Sequence, residues 1–112
     1  MTTDTPGDFE QQVLLAVWRL GAAAYGGSVR DELEARTGRD IAQGAVYVTL
    51  VRLEKKGLLR SSRSEPTPVR GGKSKRCFAI TPAGIEGLRV ARRTFERLWD
   101  GLPATTPGEA LP

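Results

Sequence analysis

The 112-residue sequence predicts a mainly α fold of the α+β class: three helices, a β-hairpin, and a fourth, longer helix. Three observations predict it. Four separate segments repeat apolar residues at helical spacing. Two short stretches with strand character, residues 58–63 and 75–81, enclose a tip rich in Pro, Gly and charge. Capping residues and glycines fall at the segment ends.

In the first helix, residues 9–20, the apolar positions are Phe9, Val13, Leu14, Ala16, Val17 and Leu20, with Asp8 as the expected cap and Gly21 as the stop. Residues 22–27 read as a brief extended link around Tyr25. The second helix spans residues 28–37. Ser28 is its expected N-cap, Asp31 and Glu32 favour the positive end of its dipole, and Val29 and Leu33 face inward. Gly38 fits the left-handed residue that ends such a helix. The third helix spans residues 43–56, with Val46, Leu50 and Leu53 on one face and Lys55-Lys56-Gly57 at its close. Asp40 and Gln43 also have capping-box spacing, which would move its start to Ile41. In the second strand Phe78 and Ile80 alternate with Cys77 and Ala79, while Pro66 and Pro68 confine the intervening residues to a long tip. Thr81-Pro82 then caps and opens a fourth helix that continues to Trp99, roughly 27 Å long. This order is that of a winged helix-turn-helix with a C-terminal extension.

Composition narrows the function. Hydrophobic residues make up 39% and charged residues 27% of the chain, as in globular domains, and no apolar run could cross a bilayer. Residues 1–7 lack a basic-then-apolar leader pattern, and one cysteine, Cys77, has no internal disulfide partner. A cytoplasmic protein is therefore expected. With no histidine, a single cysteine and scattered carboxylates, the sequence offers neither a catalytic constellation nor metal-ligand spacing. No enzyme activity, cofactor or metal is expected. Gly71-Gly72-Lys73-Ser74 resembles the end of a phosphate-binding loop, but Thr67 stands where that motif requires glycine and a strand-like segment follows.

The net charge of +4 is unevenly placed. Residues 60–76 carry six Lys/Arg against one Glu, whereas residues 1–59 sum to −1 and residues 77–112 to zero. A localised basic segment is the electrostatic footprint of a polyanion partner, or else a solvated loop. In a helix-turn-helix the third helix would enter the major groove of double-stranded DNA. Its expected outward residues are Gln43, Gly44, Tyr47, Thr49 and Arg52, with Tyr47 either contacting phosphate or packing on the second helix. The hairpin adds Arg70, Gly71, Gly72, Lys73, Lys75 and Arg76 for phosphate or minor-groove contact. On the fourth helix Ile85, Leu88, Phe95, Leu98, Trp99 and Leu102 form a broad apolar stripe. With Phe9, Val13 and Trp18 they suit either packing on the first helix or, as favoured here, a homodimer seam.

Several short motifs together resemble the PadR-like family of bacterial regulators: Leu14-Leu15-Ala16, Tyr25-Gly26, Gly44-Ala45-Val46-Tyr47 with Leu50, Arg52-Leu53-Glu54-Lys55-Lys56-Gly57-Leu58, and Thr81-Pro82-Ala83-Gly84. The resemblance covers residues 9–102. It implies a winged-helix domain, a C-terminal dimerisation helix, a DNA-contacting Tyr47, a Gly-rich wing, repression by operator binding and, in some members, a small-molecule effector. Two features depart from it. Ala42 stands where many members have a capping serine, and a single C-terminal helix replaces a longer helical region.

The resulting expectation is a sequence-specific double-stranded DNA-binding regulator, a repressor acting as a homodimer on a palindromic operator. The expected organisation is a flexible arm (1–8), a DNA-binding domain (9–81), a dimerisation helix (82–102) and a disordered tail (103–112). The alternative is a protein-interaction module whose basic wing docks an acidic partner.

Overall fold

In the computed structural model, residues 5–63 and 75–104 are described. They form α1 (Asp8–Leu20), a 3₁₀ turn (Gly21–Ala23), α2 (Gly26–Thr37), α3 (Gln43–Lys55), β1 (Leu59–Arg63), β2 (Arg76–Ile80) and α4 (Pro82–Trp99). The first three helices enclose a core that includes Val13, Leu14, Val17, Val29, Val46, Leu50 and Leu53, and the hairpin closes it with Leu59 and Phe78. The element order is the one the sequence predicts.

The helix starts differ from expectation, each for a local reason. α1 is capped by Gly7, not Asp8, and the Glu10 carboxylate accepts the Gly7 N–H at 3.0 Å. α2 begins at Gly26, because Tyr25 holds the extended N-cap position. Ser28 lies one turn inside, accepting the Tyr25 N–H at 3.0 Å and donating to the Ala23 carbonyl at 2.6 Å. The chain before Tyr25 is held by the hairpin: Tyr25 bridges to Cys77, and the Phe78 N–H donates to the Ala24 carbonyl at 2.8 Å. Tertiary pairing thus fixes where α2 starts. α3 begins at Gln43 after an extended Ala42 that offers no side-chain cap, so the alternative start at Ile41 does not form. The α2–α3 turn is fastened from α2 instead, with Arg30 Nε donating to the Ile41 carbonyl at 3.0 Å and the Ile41 N–H donating to Glu34 at 2.9 Å.

α3 ends in a Schellman motif around Gly57, whose φ of +79° suits glycine. The Leu58 N–H returns to the Leu53 carbonyl and the Gly57 N–H to that of Glu54, both at 3.0 Å. This turn delivers the chain into β1, which pairs antiparallel with β2 in the register Leu59↔Ile80 to Arg63↔Arg76. Lys56 reaches back to the start of α1 and pairs with the buried Glu10, Nζ lying 3.0 and 3.1 Å from its two oxygens.

α4 leaves the hairpin without a linker. The Thr81 hydroxyl accepts the Gly84 N–H at 3.0 Å and donates to the Gly57 carbonyl at 2.7 Å. Gly84 presses on the strand entrance so closely that a Cβ built there would lie 2.3 Å from the Leu58 carbonyl oxygen. Leu88 and Ala91 continue the buried edge, and every residue from Arg92 to Trp99 is exposed. α4 therefore projects beyond the domain for its last two turns. At the other end of the chain, Pro6 was expected in a flexible arm. It is instead buried, its carbonyl accepts Gln11 Nε2 at 2.9 Å, and its ring faces Gly87.

Candidate nucleic-acid interface

The first two turns of α3 present Gln43, Gly44, Ala45, Tyr47 and Val48 to solvent, followed by Arg52. Among the described residues no side chain caps this end, and a Cβ built at Gly44 would meet nothing within 4 Å. The helix start is consequently bare, with backbone N–H groups able to approach an anion. Tyr47 is 46% exposed, so its ring is not sealed against α2. Thr49 requires a correction. It was expected to face outward but is only 5% exposed, because position 49 lies on the core side with Val46, Leu50 and Leu53.

The hairpin meets this helix through Arg76 of β2 and Ser61 of β1. Arg76, at the start of β2, donates from Nη1 to the Tyr47 hydroxyl at 3.0 Å and from Nε to Ser61 Oγ at 3.2 Å, while Nη2 pairs with the Glu54 carboxylate. Glu54 also accepts the Ser61 hydroxyl. The hydrogen bond from Ser61 is the largest influence on the Glu54 carboxyl and, with the Arg76 charge, holds it below the ordinary glutamate range against the opposing effect of burial. The Arg76 guanidinium is correspondingly pushed up, first by its bond to the Tyr47 hydroxyl and then by Glu54. All three nitrogens of the Arg76 fork thus have partners within the protein. Lys75, the next residue toward the tip, sits over the Tyr25 ring with Nζ 4.0 Å from its centroid. Arg70, Gly71, Gly72 and Lys73 lie outside the described residues.

Two features of this face escaped the sequence reading. Glu54 follows Tyr47 by seven residues, two helical turns, and so shares its side of α3; that spacing was the available signal. Val48 is 53% exposed and borders a shallow hollow with Tyr47, Val51, Arg52 and Lys55. A search for polar base-reading side chains passes over it.

The expected seam residues divide in two. Val13 and Leu88 belong to the core and are corrected on that ground, since a side chain already sealed inside one domain cannot line a surface; Phe9 packs partly against the same core. Ile85 is half-buried. Phe95, Leu98, Trp99 and Leu102 are exposed, Trp99 by 71%, and Trp18 is exposed on α1. Among the described residues no helix is long and apolar enough to cross a membrane, and no group of three or more His, Cys, Asp or Glu could hold a metal.

Residues 14–90 match the model of the transcriptional regulator PadR-like family. The chain is 38% identical over 74 residues to transcriptional regulator Rv3488 of Mycobacterium tuberculosis, a match that spans 66% of this chain and 64% of that protein. The fold is similar to a PadR-like transcription factor from Bacteroides fragilis, with a TM-score of 0.68 at 19% identity, covering 80% of this chain and 82% of the other. It is also similar to a PadR family transcriptional regulator from Eggerthella lenta, with a TM-score of 0.62 at 29% identity, covering 80% and 75% of the two chains.

Proposed function

The chain belongs to the PadR-like family of transcriptional regulators, and from that premise we propose that it binds double-stranded DNA sequence-specifically, as a homodimer on a two-fold-related operator, to repress transcription in the cytoplasm. α3 enters the major groove, where Gln43 and Arg52 address base edges and phosphates, and the N–H groups around Gly44 approach the backbone. The hairpin lies beside the duplex as the wing and brings Lys75 to phosphates, and Arg70 and Lys73 of the basic segment add to the same electrostatic attraction. The exposed Phe95, Leu98 and Trp99 of α4, with Leu102 just past its end, seal against a second copy, which doubles the contacts to DNA.

The observation that carries this reading is the 3.0 Å bond between Arg76 of β2 and Tyr47 of α3, which places a strand of the basic hairpin against the exposed helix face. The two surfaces most suited to DNA therefore adjoin. The test is binding to the duplex upstream of the protein's own gene across a range of salt concentrations, with unrelated DNA as competitor. A steep decline with salt, together with preference over the competitor, is expected. Affinity that ignores salt, or equal affinity for both duplexes, would refute the proposal.

A further inference from the structure

Arg76 is a cation on the proposed DNA-facing side, yet a carboxylate from α3 occupies it. Guanidinium groups recognise carboxylates and phosphates through the same planar fork, so the two compete for one set of donors. We propose that Glu54 is a specificity-determining residue that withholds Arg76 from the DNA backbone and leaves it to position the Tyr47 hydroxyl. This inference rests on the DNA-binding reading above.

The geometry separates two jobs that one arginine could otherwise mix. An added phosphate contact from the hairpin raises affinity for every sequence alike, whereas a hydroxyl held in place on α3 fixes the register of the helix that reads the base edges. Glu54 sits two turns behind Tyr47 and holds Nη2, Ser61 takes Nε, and Nη1 is thereby directed at the Tyr47 oxygen. Ser61 also donates to the Glu54 carboxylate, which fixes the acid itself. Loss of the negative charge would release a guanidinium beside the duplex and leave the tyrosine unheld.

The experiment compares wild type, Glu54→Gln, Arg76→Gln and the double variant. The probes are a duplex selected by the wild-type protein from random sequence and a shuffled duplex of equal length. Glu54→Gln should bind the shuffled duplex several-fold more tightly and lose about tenfold in its preference for the selected one. Its plot of log affinity against log salt should steepen by about 0.9, the increment for one added phosphate contact. Arg76→Gln should lose preference without steepening. The double variant should return to the wild-type slope with preference still low. A Glu54→Gln protein with wild-type slope and preference overturns the inference, as does one that weakens on both duplexes equally at unchanged slope, the signature of a merely structural residue. Should Glu54→Gln fail to fold, Arg76→Gln with undiminished preference overturns it independently. Wild type without selectivity overturns the DNA-binding reading, and this inference with it.

Discussion

Replacement of Gly84 by alanine tests how α4 is joined to the domain. Normally, alanine in place of glycine stabilises a helix by about 1 kcal/mol. Here the added methyl would lie 2.3 Å from the Leu58 carbonyl oxygen and 2.7 Å from Ile80 Cγ1, with the Leu58 carbonyl carbon at 3.2 Å. Carbon and carbonyl oxygen ordinarily approach to about 3.3 Å, so α4 would have to withdraw by roughly 1 Å. The oxygen cannot yield easily, because it also accepts the Thr81 N–H at 3.1 Å. Overpacking of this kind costs about 3 kcal/mol at the upper end of its usual range. Subtracting the helical gain leaves a net loss of about 2 kcal/mol, a fall of roughly 10 °C in Tm for a domain near this size. Gly44→Ala is the matched control: its Cβ meets nothing within 4 Å, so the same substitution should stabilise by up to about 1 kcal/mol. Calorimetry of the three proteins at one fixed concentration decides the matter. A Gly84→Ala protein as stable as wild type would show that the close approach is not a constraint.

Three further outcomes are expected. The Glu10 carboxyl is pushed up by burial but held below its ordinary value overall, chiefly by the Gly7 N–H and then by Lys56. A depressed folded-state pKa contributes stability above the unfolded-state value that is lost as pH falls through the folded one. Denaturation midpoints should thus drop on acidification below the ordinary glutamate range, and Glu10→Gln should show a shallower drop from a baseline about 1–2 kcal/mol lower at pH 7; identical pH profiles would refute this. Leu98→Glu, which places a charge in the exposed α4 stripe, should convert a dimer to monomer in sedimentation equilibrium while the melting profile of the domain is kept; an unchanged mass would refute the α4 seam. If Val48 packs against a thymine methyl in the groove, replacing that thymine by deoxyuridine should weaken binding by roughly fourfold, the effect of one buried methyl group, and Val48→Ala should abolish the difference. Equal binding of both duplexes at every position would exclude methyl reading by Val48.

Features governed by neighbours in sequence were legible. Thr81-Pro82 marks the start of α4, Gly38 and Gly57 mark the ends of α2 and α3, and the two-residue alternation around Phe78 places its side chain in the core. Features governed by distant partners were not. Ser28 satisfies the rule for an N-cap, but the bridge from Tyr25 to Cys77 moves the cap three residues upstream, and nothing near Ser28 encodes that bridge. Thr49 is expected outward but shares the helical phase of Val46 and Leu53, and packing against the other helices buries it. The basic segment was legible as charge, but charge counting cannot reveal that Glu54, twenty-two residues before Arg76, already pairs with it. Val13 and Leu88 show the converse error: an apolar residue suits a core and a seam equally until packing decides between them.

The direct passage from Ile80 through Thr81 into Pro82, clamped at Gly84, gives the projecting helix no hinge on which to swivel. In a dimer joined by its far end, such a helix would behave as a ruler, and the separation and angular phase of the two recognition helices would be inherited from it. One residue inserted within the projecting part of α4, after Ala91, would turn everything beyond it by about 100°. Operator spacing would then evolve through the length and pitch of this rod, while changes to the groove-reading face would alter only which bases are chosen.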